Sequence, residues 1–414
     1  METILDKEFT VKLLTAVYGG DTLGRLPDGR AVFVPLALPG ETVRLRLLEE
    51  KRGHARAELL EVLQPAPERI LPPCPHYGRC GGCHYQHIDY PQQVAQKTAI
   101  LCEQLERIGG IVAPPVENCV PAPDIFYYRN HIQFHLTPQG QLGYHRRDGE
   151  AIMPVETCLL PEAPLGELWP QLNFEGLTSE LERIAIRLGA GEDLQITLES
   201  SAVEPPEMIV EELPVSVIHL SPAGSLVLAG SQAVLMQTAG QTLRVSAGSF
   251  YQVNTAMAAA MVQHLLARLD LTPEMTVVDI YCGVGLFSAF LAPRVARLIG
   301  IESSASACED FVFNLDAYEN VELYEALAED VLPGLDVRPD LILVDPPRAG
   351  LQHRALDGLL ALDAPLLVYI SCDPATLGRD ARRLVQGGYR LKTITPFDLF
   401  PQTYHIESIS IWER

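Results

Sequence analysis

TVVDIYCGVGLFSAFLA, residues 276–292, runs a β-branched apolar strand into an acid, then through two glycines into an apolar helix. A strand, a glycine turn and a helix in that order open the kind of α/β sheet that binds a ligand at its strand ends. The spacing is only Gly283-Val284-Gly285, which a tight turn needs in any case, so the neighbouring sequence has to decide. Upstream, AMAAAMVQHLLARL (256–269) has helical periodicity; downstream, LIGIES (298–303), VELYEA (321–326), LILVDPP (341–347), LLVYIS (366–371), YRLKTITPF (389–397) and ESISIWE (407–413) read as strands, most of them separated by helical segments. Residues 236–414 are therefore expected to form a doubly wound, Rossmann-like α/β domain.

The rest of the 414 residues has a different texture. FTVKLL (9–14), GRAVFVPLAL (29–38), ETVRLRLLEE (41–50) and ARAELLEVL (55–63), with turns at Gly19-Gly20-Asp21 and Pro39-Gly40, predict four or five short strands and a small closed β-barrel over 1–65. Prolines 65, 67, 72, 73 and 75 mark a linker, and YPQQVAQKTAILCEQLERIGG (90–110) predicts one amphipathic helix stopped by Gly109-Gly110, closing a cysteine-containing unit over 66–110. From 111 to 235 strand patterns with Gly/Pro turns dominate, interrupted by the helix-like LTSELERIAIRLG (177–189).

A net charge of −22 is unfavourable for binding a polyanion, but its distribution is uneven: residues 151–235 hold 13 carboxylates against two cations, while the first 150 residues are close to balance. An RNA-binding face is compatible with that N-terminal third if the acidic segment points away. The start METILDKEFT has no basic leader or apolar core of a signal, and no stretch reaches a membrane span, so a cytoplasmic, monomeric protein is expected. Nine cysteines, an odd number, point to metal binding or catalysis rather than disulfides. Cys74, Cys80 and Cys83 are spaced C-x5-C-x2-C in a Pro/Gly loop, a metal-site pattern. His76, His84 or His87 would complete a zinc site; Cys158 would supply the fourth thiolate of an iron–sulfur cluster.

Two acids strengthen the glycine turn. Glu302 ends the next strand, where a carboxylate accepts from ribose hydroxyls, and Asp330, in ALAED, is placed to reach an adenine amine. No Lys-Ser/Thr follows to cradle phosphates and no third glycine completes a dinucleotide fingerprint, which favours an adenosyl ligand without phosphates, S-adenosylmethionine (SAM). DPPR (345–348) then puts Asp345 beside the point of methyl transfer. YISCDPATLGRD (369–380) leaves Cys372 at a strand end, where a cysteine taken alone is often a small apolar filler.

Taken in order, SFYQVN (249–254), DIYCGVG (279–285), DPPRAG (345–350), SCDPATLGRD (371–380) and DLFPQTYHIES (398–408), with CPHYGRCGGC (74–83) and YRNHIQF (128–134) upstream, resemble the SAM-dependent RNA uridine-5-methyltransferases. The resemblance implies that Cys372 is a nucleophile adding to carbon 6 of uracil and that Glu407 removes the carbon-5 proton. It implies Gln252 and Tyr281 at the cofactor with Gly283, Gly285, Glu302, Asp330 and Asp345, and Phe250 and Tyr251 stacking on RNA bases. Cys74, Cys80, Cys83 and Cys158 become ligands of a 4Fe–4S cluster, leaving Cys102, Cys119, Cys282 and Cys308 structural. The first 62 residues resemble a TRAM barrel, and Arg129, His131, Arg146 and Arg147 fall where RNA would lie. The combination points to the branch acting on 23S ribosomal RNA, the alternative being uridine 54 of transfer RNA. Two departures stand out: Leu286 where relatives often carry a polar residue, and Asp373 where many have Asn. An amino-group methyltransferase, using DPPR to grip an amine, needs neither Cys372 nor Glu407; a non-catalytic iron–sulfur RNA-binding protein would not need to keep them. The C-x3-C-x2-C of a radical methylthiotransferase is absent.

Overall fold

The computed structural model describes residues 7–177, 181–206 and 214–414. Strands β1 (Glu8–Ala16), β2 (Asp21–Arg25), β3 (Ala31–Pro35), β4 (Thr42–Glu50) and β5 (His54–Gln64) close into a barrel in the order β1-β2-β3-β5-β4. Alternate residues such as Val32, Val34, Val43, Leu45 and Leu47 fill its interior, the period of two expected of strands with one buried face. The strand β2 was not legible in the pattern because its inward positions are Thr22 and Gly24 rather than apolar residues. The Thr22 hydroxyl satisfies itself by donating to the Ala37 carbonyl at 2.6 Å.

Helix α1 (Tyr90–Gln104) starts at Asp89, whose side chain accepts from Gln92 N, and winds through a wider turn, Leu105–Gly109, to a left-handed Gly110. It buries Lys97 completely, and that ammonium donates to Asp398 Oδ1 at 2.5 Å and to the Phe400 carbonyl at 3.0 Å. Gln93 bonds Gln402 from the same helix face. A buried charge pair persists only when both partners are present, so α1 clamps the segment that leads into Glu407.

Seven strands form the central sheet: β6 (His131–Leu136), β7 (Leu142–His145), β8 (Ile152–Pro154), β9 (Arg183–Leu188), β10 (Leu194–Glu199), β11 (Val215–Ser221) and β12 (Gly224–Ala229), in the order β12-β11-β10-β9-β6-β7-β8. Helix α2 (Ala163–Leu168) packs Leu165 and Leu168 into its core. The helix expected over 177–189 is corrected here: 183–188 is strand β9, and 178–180 lie outside the described residues. Leu177, Leu181, Ile184 and Leu188 recur at helical spacing while Ile184, Ile186 and Leu188 alternate as in a strand, and pairing on both sides, Ile186 against Ile132 and Ile196, selects the strand.

A hairpin, β13 (Ala233–Thr238) and β14 (Gln241–Ser246), packs Val234, Met236, Leu243 and Val245 with Met257 and Met261 of α3 (Thr255–Arg268). The C-terminal domain continues with β15 (Thr276–Ile280), α4 (Ser288–Leu291), β16 (Arg297–Glu302), α5 (Ala305–Leu315), β17 (Val321–Glu325), α6 (Ala328–Val331), β18 (Leu341–Val344), α7 (His353–Ala361), β19 (Leu366–Ser371), α8 (Pro374–Gln386), β20 (Arg390–Phe397) and β21 (Glu407–Glu413). Its sheet runs β17-β16-β15-β18-β19-β21-β20, parallel up to β19 and antiparallel beyond. Strand order reverses between β15 and β18, and a crevice opens at their carboxyl ends. Among the described residues no helix is long and apolar enough to cross a membrane.

Candidate active site

The crevice is a cleft of about 650 Å³ lined from successive strand ends. After β15, Tyr281 (φ +62°), Gly283 (φ +55°) and Gly285 (φ +89°) turn the chain through the left-handed region. The two glycines serve different needs. A Cβ on Gly285 would stand 2.5 Å from Leu315 Cδ1, whereas one on Gly283 would meet nothing within 4 Å, so that backbone faces open space. Glu302, at the end of β16, is pinned by three amides: Gly283 N at 3.0 Å on one oxygen, Ser303 N and Ser304 N at 2.7 and 2.8 Å on the other.

Asp330 is where the structure departs from expectation. It is exposed and pairs with Arg354 at 3.1 Å, while its neighbour Glu329 lines the cleft. One residue on a helix turns the side chain by about 100°, and which of two adjacent acids faces inward is set by how α6 packs. Asp279, not singled out as a site residue from the sequence, also lines the cleft; it is 2% exposed and accepts from Ser288 Oγ at 2.5 Å. Leu286, noted as a departure where relatives often carry a polar residue, is part of the apolar wall with Phe287 and Ala307.

Gln252 and Tyr281 line the same cleft. The Gln252 segment is held by Asn130, whose side chain donates to the Gln252 carbonyl at 3.0 Å and to Thr255 Oγ1 at 2.8 Å. Tyr251 is buried against Thr238, but Phe250 is 70% exposed at the cleft's mouth, so only one of this aromatic pair is free to stack. Phe400 also lines the cleft, with the Arg129 guanidinium 5.8 Å from its ring centre.

The antiparallel edge brings the remaining pair together. The ladder between β19 and β21 ends at Ser371 opposite Ser408, so Cys372, the residue after β19, and Glu407, the first residue of β21, adjoin the same end of that ladder. Cys372 and Glu407 line the cleft with Asp345 and Arg348. Burial pushes the Cys372 thiol up to about 12, with Glu407, Asp345 and Asp373 adding and Arg348 opposing. Burial also raises Asp279 to about 7, helped by Asp345 and Glu302, and drives Asp345 and Glu407 upward.

Several desolvated carboxylates facing one cleft, with little cationic compensation, form a site for a positive ligand. SAM, which carries a sulfonium and an ammonium, fits it: acids at the strand ends, apolar walls, and open backbone at Gly283. Asp279 and Asp345, each raised to about 7, hold their protons in the free protein below that value, so their contribution to stability is greatest at low pH and is lost as pH rises from the ordinary carboxylate range to about 7. A cation binds the ionised form. SAM affinity, measured calorimetrically, is therefore expected to rise with pH up to about 7 and flatten above, falling roughly tenfold per pH unit for each proton displaced below it. S-Adenosylhomocysteine, without the sulfonium charge, should show a shallower slope.

A second cavity, of about 400 Å³, is lined by Cys74, Cys80, Cys83 and Cys158 together with His76, Arg129, His131 and Phe250. Phe250 lines both cavities. Of the three histidines weighed as zinc ligands only His76 reaches this one. His84 packs on Tyr404, and His87 Nδ1 is bonded to the Tyr77 hydroxyl at 2.5 Å. Among the described residues no three Cys, His or acidic side chains converge closely enough to hold a single metal ion.

Comparison with known proteins agrees with this architecture. Residues 208–414 match the family model described as tRNA (uracil-5-)-methyltransferase, and residues 7–60 match the TRAM domain. The chain is 34% identical to an uncharacterized RNA methyltransferase of Aquifex aeolicus, over 99% of each chain. It is 33% identical to one of Gloeobacter violaceus, over 98% of this chain and 96% of that one. Among solved structures, the Pyrococcus abyssi tRNA (uracil-54, C5)-methyltransferase in complex with S-adenosyl-L-homocysteine superposes with a TM-score of 0.72 at 23% identity, covering 98% of this chain and all of that one.

Proposed function

Since the chain belongs to the tRNA (uracil-5-)-methyltransferase family of RNA methyltransferases and begins with a TRAM domain, we propose that it methylates carbon 5 of a uridine in RNA from SAM, through a covalent bond between Cys372 and carbon 6. The observation that carries this reading is that Cys372, just after β19, and Glu407, the first residue of the neighbouring β21, line the same SAM-compatible cleft. SAM supplies an electrophilic methyl group on sulfur. Uracil carbon 5 is a weak nucleophile, and addition of the Cys372 thiolate to carbon 6 makes it the nucleophilic end of an enolate. Cys372 lies just before the N-terminus of α8, and Arg348 stands on the cleft; both favour the thiolate against burial. After transfer, carbon 5 carries both methyl and hydrogen. Glu407 takes that proton, the C–H electrons restore the C5–C6 double bond, and the C6–S bond breaks to return the Cys372 thiolate. Phe250, exposed at the mouth, and Phe400 offer faces for an unstacked base.

For the target we propose 23S ribosomal RNA. Recombinant protein with labelled SAM should methylate 23S RNA from cells lacking the gene, and mapping should find 5-methyluridine at a position occupied in wild-type cells. Label confined to transfer RNA would overturn the target, and label on an exocyclic amine the chemistry.

The four thiols that line the second cavity match in number the four thiolates a 4Fe–4S cluster takes. Arg129 lines that cavity with a buried Nε that has no hydrogen-bond partner among the described residues, a cation beside what would be a polyanionic group. Anaerobically purified protein is expected to be brown, with iron and acid-labile sulfide at about four each per chain, and Cys158→Ser to lose both. Stoichiometric zinc without sulfide would contradict this.

A further inference from the structure

The turn between β1 and β2 is tight: Val17 N donates to Asp21 O at 3.0 Å, and Gly19 and Gly20 take φ of +106° and +91°. Tyr18 stands off this turn. Its hydroxyl donates to Asp373 Oδ2 at 2.9 Å, joining residues 355 positions apart. The contact is part of a packed junction. The Tyr18 ring meets Tyr404 edge-on at 5.6 Å, and a Cβ on Gly20 would stand 3.2 Å from Tyr404 Cδ1 and 3.4 Å from His84 Cβ.

Asp373 directly follows Cys372. Its other oxygen, Oδ1, accepts from Ala375 N and Thr376 N, both at 2.9 Å, capping α8. One oxygen is thus committed to the helix that begins after the nucleophile and the other to the barrel. We propose that Tyr18 is a positioning residue for Cys372: its hydrogen bond to Asp373 anchors the turn that carries the thiol and draws the Asp373 charge away from it. This rests on Cys372 being the nucleophile.

The charged groups facing Cys372 are Glu407 from β21, Asp345 and Arg348 from the segment after β18, and Asp373 on its own turn. Those facing the Tyr18 hydroxyl are Asp373, Tyr404 and Arg348. Three of the four groups around the thiol are carboxylates, and each disfavours the thiolate. Asp373 is the one whose charge a donor from the barrel disperses. Asp373, a departure from the family pattern on the sequence alone, acquires a partner in Tyr18 that Asn in its place would not hold as an anion.

The test is the rate at which iodoacetamide modifies Cys372 in the full-length protein, read by peptide mass spectrometry across about pH 7 to 10. Tyr18→Phe removes only the hydroxyl. It is expected to slow modification of Cys372 about three- to tenfold at a given pH and to move the profile to higher pH, leaving Cys102 unchanged. Asp373→Asn should speed modification, and in that background Tyr18→Phe should change it less than about twofold. No change from Tyr18→Phe, or an equal change in both backgrounds, would overturn the proposal, because a merely structural role does not depend on the Asp373 charge. The measurement reads the thiol and not methyl transfer. If Cys372→Ala still methylates uridine, the nucleophile assignment fails instead, whatever the alkylation profile.

Discussion

Glu407→Gln protein, mixed with SAM and substrate RNA, is expected to accumulate a covalent protein–RNA adduct that already carries the new methyl group. The substitution is nearly isosteric at a position only 3% exposed, so the β19–β21 edge should remain intact. After burial, Glu407 is the largest cause of the raised Cys372 thiol. Replacing its carboxylate by an amide therefore makes the thiolate easier to form, and addition and methyl transfer should proceed. The step that fails is loss of the carbon-5 proton, since Gln has no basic oxygen to receive it. Release should slow by roughly 10²- to 10⁴-fold, the usual worth of a positioned base. On a denaturing gel the adduct would appear as a shifted band containing label from both RNA and SAM. Turnover at the parental rate would show that another group is the base.

Cys372→Ala is expected to lower methyl transfer by at least about 10⁴-fold, as removal of a covalent nucleophile commonly does, and to abolish the adduct in the Glu407→Gln background. Without the bond at carbon 6 there is no enolate, and the ring does not attack the methyl group. The same variant should bind SAM about as well as the parent, because the carboxylates that favour a cation, Asp279, Asp345 and Glu302, are untouched. Loss of SAM binding along with activity would mean that the cysteine serves the structure of the cleft and not the chemistry. An amino-group methyltransferase would keep its rate in this variant, so the experiment also separates the two chemistries weighed from the sequence.

What could be read from the chain alone was whatever depends on near neighbours in sequence. The strand, glycine turn and helix of 276–292 declare themselves because left-handed backbone and period-two burial are local properties, and so do the barrel strands other than β2 and the capped helix from Tyr90 to Gly110. Cys372 at a strand end and the three clustered thiols were visible for the same reason. A pattern that satisfied two periods was not decided locally: Leu181, Ile184 and Leu188 fit a helix and Ile184, Ile186 and Leu188 a strand, and pairing with β6 and β10 decided for the strand. Nor could a pattern choose between Glu329 and Asp330, where the rotation of one short helix turns one acid inward and the other to Arg354.

The rest required tertiary structure. Glu407 and Cys372 line one cleft because the last strand runs antiparallel beside β19 with Ser408 opposite Ser371, a pairing that no spacing in the sequence specifies. Cys158 joins Cys74, Cys80 and Cys83 only when the central sheet docks on the cysteine loop. Tyr18 reaches Asp373 across 355 residues. Each of these contacts joins segments far apart in the chain, and their meeting is fixed by how sheets and helices pack, not by the propensities of the residues that touch.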